Sequence, residues 1–152
     1  MVNRQSGLSL IELLIVVSIV GVLALVTVPF TQSWLYEAQL NDAKSQLSQA
    51  YTQAKALALR NPENVHGEHN TAACVNLLGS FIQVRQPSGT GCSGGVTWQG
   101  NWPIGVGLVR NNVNLTVVFI NNRGAILINN QPSSNLEYIL AKGNVSYEGM
   151  LY

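Results

Sequence analysis

Apolar residues run almost unbroken from Leu8 to Phe30, relieved only by small residues and by Glu12, the single charge of the stretch. As a helix this run would rise about 35 Å at ~1.5 Å per residue, enough for a hydrocarbon core of roughly 30 Å, so the pattern predicts a membrane helix over 8–30. Pro29 lies inside it and lacks a backbone donor, which predicts a kink where the chain leaves the bilayer. Helical periodicity then continues. Tyr36, Leu40, Ala43, Leu47, Ala50, Ala54 and Leu57 recur every three or four residues, with Glu37, Asn41, Asp42, Gln46, Gln49 and Gln53 on other faces. This predicts an amphipathic continuation over 31–61, stopped by Asn61-Pro62, with Lys55 and Arg60 near the negative end of its dipole. Its apolar stripe is core and takes no ligand.

From Glu63 to Asn70 the chain is polar and unpatterned, a loop. Short runs suited to strands follow at Phe81–Arg85, Val96–Trp98, Ile104–Arg110, Val113–Ile120, Ala125–Ile128, Leu136–Leu140 and Val145–Tyr147. Arg110-Asn111-Asn112-Val113 predicts a tight hairpin, because asparagine tolerates positive φ, and Asn121-Asn122-Arg123-Gly124 a second. Pro87 to Gly95 reads as a long loop. The expected fold class is therefore α+β, a long N-terminal helix packed on an antiparallel β-sheet head over 62–152.

Charge changes this picture little. Only 10% of the 152 residues are charged, and beyond Gly7 seven basic residues balance seven acidic ones, so no polyanionic partner is announced. The positive-inside bias places Arg4 in the cytoplasm and the head, with Cys74 and Cys92, in an oxidising compartment. A bridge between the two cysteines would close a loop of about 19 residues, worth ~3 kcal/mol in the chain-entropy model; the alternative is two free thiols. No nucleophile elbow, phosphate loop or paired carboxylate frame is present, so the chain reads as non-enzymatic with no cofactor. His66-Gly67-Glu68-His69 follows a helix stop and lacks the helical spacing of a zinc pair, and reads as a solvated loop with no metal.

Glu12 needs a partner, since an acidic residue at mid-membrane costs about 2.5–3.5 kcal/mol on insertion scales. A cut between Gly7 and Leu8 would place the new α-amine of Leu8 one helical turn from Glu12 of its own chain, or against Glu12 of a neighbour. Gly7, an apolar residue, Ser9-Leu10-Ile11-Glu12 and a long hydrophobic helix, with Arg4 in a leader of seven residues and Gly21 and Pro29 in the helix, resemble the class III leader of type IV pilins and type II secretion pseudopilins. The resemblance implies a leader over 1–7, cleavage after Gly7 by a prepilin peptidase and N-methylation of Leu8. It further implies packing of the helix in a filament core with other minor and major pilins or pseudopilins. Before assembly the chain would stand in the inner membrane as a single-pass protein with its head in the periplasm. The alternative is an uncleaved signal anchor.

In the head, Ala50, Ala54, Ala58 and Arg60-Asn61, then Cys92 and Trp98-Gln99-Gly100-Asn101-Trp102, resemble the FimT and type II secretion H-type minor pilin group. That implies a minor subunit in the initiating or tip complex of a type IV pilus, or in a type II secretion pseudopilus. A further alternative is a tip module that binds DNA or adheres. Some FimT proteins bind DNA through Gly-Arg-x-Arg; here Gly143-Asn144-Val145-Ser146 has neither arginine, and phosphate binding needs cations. Arg110, Arg123 and Lys142 would serve a DNA partner only if the fold gathers them. Trp98 and Trp102 read first as aromatics capping the sheet core, and otherwise as a ligand or partner surface.

Overall fold

The computed structural model describes residues 9–152 except Thr90 and the side chains of 26–30. The chain divides into two compact units, one up to Leu35 and one from Tyr36 to Tyr152. Helix α1, Leu10–Arg60, contributes to both. Ser9 starts it, its carbonyl accepting from the N–H groups of Glu12 and Leu13. The helix assignment continues through Pro29; the kink expected there involves residues whose side chains lie outside the described set.

In the first unit the described side chains from Leu10 to Leu25 are all exposed, including Leu10 at 81% and Leu25 at 79%. Ser18 satisfies its hydroxyl on the Leu14 carbonyl of its own helix at 2.8 Å, so it adds no polar demand to this surface. Among the described residues no helix is long and apolar enough to cross a membrane. The expected span of 8–30 includes Leu8 and the side chains of 26–30, which are outside them.

The second unit is helix on sheet. Leu40, Ala43, Leu47, Ala50, Tyr51, Ala54 and Ala58 are buried in one core with both sheets, while Tyr36 and Leu57 of the expected stripe are only half-buried. Four alanines on this face let the strands approach the helix closely. The helix ends on Asn61 at φ 47°, and the Asn61 side chain both donates to the Val65 carbonyl and accepts from its N–H, fixing the exit turn.

Among the described residues ten strands follow: β1 Thr71–Leu78, β2 Phe81–Arg85, β3 Val96–Asn101, β4 Gly107–Arg110, β5 Val113–Asn114, β6 Val117–Asn121, β7 Ile126–Ile128, β8 Gln131–Ser133, β9 Leu136–Lys142 and β10 Val145–Leu151. All pairings are antiparallel, but they form two sheets where one was expected, ordered β3-β2-β1-β6-β7-β8 and β10-β9-β4-β5. The division explains why Val113–Ile120 is not one strand. The Leu115 N–H bonds to Leu108 in the smaller sheet and the Thr116 carbonyl accepts from Leu77 in the larger, so the chain changes sheets over two residues. Ile104 likewise lies outside β4, because Pro103 to Val106 forms a turn with Gly105 at φ 79°.

Candidate functional site

Glu12 lies in the first turn of α1 on the exposed apolar surface of the first unit. Among the described residues its carboxylate has no ion-pair partner. A carboxylate in the first turn is favoured by the helix dipole, by about 0.3–1 kcal/mol where exposed. In an apolar environment that is too little to offset desolvation. Gly7 and Leu8, the expected cleavage point and new N-terminus, lie outside the described residues.

On the head, Cys74 and Cys92 are joined in a disulfide. Cys74 is fully buried on β1, the third strand of the larger sheet, between Arg85 of β2 and Phe119 of β6. The bridge therefore ties the loop after β2 to the middle of the sheet. The loop is also held by Gln86 N–H on the Gly95 carbonyl at 3.0 Å and by a turn from Ser88 to Gly91.

Trp98 and Trp102 differ. Trp102 is 4% exposed and donates its indole N–H to the Val106 carbonyl at 2.9 Å, which makes it core. Trp98 is half-buried on β3 and lines a cleft of about 170 Å³ with Gln53, Leu57 and Arg60 of the helix. A Cβ on Gly100 would collide with Trp98 and with Gln46, so glycine is what lets β3 lie this near the helix.

Arg110, Arg123 and Lys142 are not gathered. Arg123 pairs with Glu68 at 2.6 Å beside the β6–β7 turn. Lys142 donates to the Ile104 carbonyl and stands 5.7 Å from the Tyr36 ring centre. Arg110 is at the far end of β4: Gly107 pairs with Ala141 and Val109 with Ile139, so Arg110 falls about four residues, roughly 13 Å, from Lys142 along the sheet. Sequence reading missed what two lysines do, since their partners are distant in the chain. Lys44 sits 4.5 Å over the Tyr147 ring of β10, and Lys55 donates at 3.0 Å to the carbonyl of Tyr152, the residue after that strand. Burial pushes the phenols of Tyr51 and Tyr138 above the usual tyrosine range, and the neighbouring Tyr147 adds to the effect at Tyr138.

His69 shares Nδ1 with the Asn130 carbonyl at 3.0 Å, and its Nε2 is 3.8 Å from Glu68. Together with His66 it lines a polar groove of about 740 Å³. No group of three or more metal-ligating side chains occurs among the described residues.

Residues 2–28 match the family model described as prokaryotic N-terminal methylation motif. Two curated relatives from Pseudomonas aeruginosa, each named fimbrial protein, are 39% identical to this chain over 63 residues, which is 41% of this chain and 41% of each relative. The match thus spans about two fifths of the relatives' length. No solved structure matches. The motif and the fimbrial similarity support a type IV pilin, typically a structural rather than a catalytic protein, and the helix packed on antiparallel sheet is consistent with a pilin-like fold.

Proposed function

We propose that this chain is a minor type IV pilin of the FimT and type II secretion H-type group, acting by assembly. A prepilin peptidase cleaves after Gly7 and Leu8 is N-methylated. The precursor stands in the inner membrane as a single-pass protein over 8–30, with 31–61 continuing the helix and the head 62–152 in the periplasm. After cleavage, the Leu8 amine or that of a neighbour pairs with Glu12, and the helix enters a bundle with other minor and major pilins. The observation that carries this reading is the surface of Leu10–Leu25, almost wholly apolar, exposed in the single chain and bearing one carboxylate in its first turn. Such a surface is stable only in lipid or among other apolar helices, and a lone carboxylate there needs a cation. The methylation motif over the same residues supports it.

Glu12→Ala tests the mechanism: leader cleavage should proceed as in the wild type while incorporation into sheared filaments falls at least severalfold. Normal incorporation would refute the charge pairing. Deleting the gene and measuring sheared surface pili tests the setting. Loss of pili places the chain in pilus initiation, and unchanged pili redirect the reading to the type II secretion pseudopilus. A DNA-binding or adhesive tip role is the weaker reading, because Arg110, Arg123 and Lys142 are spread over the head and two of them are already engaged.

A further inference from the structure

Among the described residues the two sheets have four outer strands, β3 and β8 on the larger and β10 and β5 on the smaller. An unpaired edge is a template for another chain, and folded proteins blunt such edges by shortness, proline, bulges or lysine. Three of the four are blunted. Strand β5 has two residues, β8 has three with Pro132 among them, and β3 carries an extra residue where Val84 pairs with Trp98 and Arg85 with Val96. Strand β10 is different: seven residues in unbroken register with β9, holding no proline, lysine or arginine.

Its hydrogen-bonding pattern follows from the turn. Lys142 and Val145 flank the two-residue Gly143-Asn144 connection, so they form the closing bonded pair and bonded pairs alternate from there. Val145, Tyr147, Gly149 and Leu151 spend their backbone groups on β9. Ser146, Glu148 and Met150 aim theirs at the open edge, and among the described residues none of these N–H groups has another backbone partner. The strand offers this edge over roughly 20 Å.

Beside the edge lies a groove of about 570 Å³ on the outer face of the smaller sheet, lined by Val109, Ile139, Met150, Glu137, Glu148 and Arg110. The register interleaves its chemistry, Glu148 opposite Ile139 and Met150 opposite Glu137. Both carboxylates are exposed and have no ion-pair partner among the described residues.

We propose that the free edge of β10 is a strand-addition site for an extended polypeptide segment carrying cationic side chains at alternate positions. The backbone of Ser146, Glu148 and Met150 holds the segment, and Glu148 and Glu137 select its charge. A second copy presenting its own β10 is a poor occupant, since it brings another glutamate towards Glu148 and like charges across a strand pair destabilise. The site does not depend on the assembly role of the N-terminal helix.

The test uses the full chain in detergent micelles and a blocked heptapeptide, Thr-Lys-Val-Lys-Val-Lys-Thr, with glutamate replacing lysine in the control. Amide hydrogen exchange at Ser146, Glu148 and Met150 is the readout. The lysine peptide should slow exchange at these three amides and bind at least about tenfold tighter than the control. Glu148→Pro removes an outward N–H that β9 does not use, and should abolish the protection while β9 amides keep theirs; Ser146→Pro serves if that variant fails to fold. The paired change Glu137→Gln and Glu148→Gln should erase the preference between peptides. No protection with millimolar lysine peptide, or equal binding of both peptides, would overturn the inference. So would protection that rises with protein concentration alone, which would make a second copy the occupant.

Discussion

Asn121 is 0% exposed, the one fully buried polar side chain among the described residues, and it holds the β6–β7 turn together. Its Nδ2 donates to the Glu68 carbonyl at 2.8 Å, and its Oδ1 accepts from the N–H groups of Arg123 at 3.0 Å and Ala125 at 2.9 Å. Asn121→Ala strips all three backbone groups of their partner. A hydrogen bond is worth about 1 kcal/mol net, and a buried group left unsatisfied costs about 1–3 kcal/mol. Arg123 is exposed and Glu68 and Ala125 are half-buried, so the lower figure applies to each of the three, and the expected loss is about 3 kcal/mol. In a head of this size that corresponds to a melting temperature lower by roughly 10 °C. Asn122→Ala is the internal control. It loses a single bond, Nδ2 to the Val65 carbonyl at 2.9 Å, and removes an Oδ1 that is buried without a partner. Its cost should be about 1 kcal/mol or less. Urea unfolding followed by tryptophan fluorescence, to which Trp102 contributes, measures both. A loss below about 1 kcal/mol for Asn121→Ala, or one equal to that of Asn122→Ala, would refute the reasoning.

Replacing both Cys74 and Cys92 by alanine should cost about 3 kcal/mol through the freed loop, read as a lower urea midpoint; an unchanged midpoint would show the loop held by its hydrogen bonds alone. Tyr51 and Tyr138 have phenol pKa values raised by burial, so the folded state keeps their protons longer than the unfolded one. Their contribution is therefore whole below the unfolded value near 10 and is lost as the pH climbs through the folded values. Urea midpoints measured from pH 9 upwards should fall, and Tyr138→Phe should flatten that fall; an identical slope in the variant would count against Tyr138.

The helix and its end were legible in the sequence because spacing and stop chemistry are local. The Asn111-Asn112 hairpin was legible for the same reason: both residues take positive φ, at 49° and 63°, with Arg110 paired to Val113. Asn129-Asn130, at 51° and 59°, builds the same turn between β7 and β8, yet Gln131 and Pro132 disguise the short strand that follows. Strand β1 went unread altogether. It is buried on both faces over Ala72–Val75, so it shows no alternation, and alanine and cysteine carry little strand signal. The clue was Gly79-Ser80 ahead of Phe81, a two-residue turn that requires a preceding partner strand; Leu78 pairs with Phe81 across it. Where Val113–Ile120 divides between sheets was beyond local pattern, because it depends on Leu108 and Leu77, residues far apart in sequence. Of the candidate site, Glu12 was visible as a charge in an apolar run, whereas the open edge of β10 depends on which strands have neighbours, a property of the folded sheet alone.

The bridge between Cys74 and Cys92 also has a mechanical meaning. It encloses the β1–β2 turn and all of β2 in a covalent ring with a sequence separation of 18. Drawn out, that much chain would extend by about 60 Å at ~3.5 Å per residue. Under tension along the backbone the load crosses the sulfur atoms instead, so this slack is never released and the hairpin inside the ring carries none of the force. A head pulled at its ends can lengthen only through the strands outside the ring, and its stretched contour is shorter by nearly that whole length.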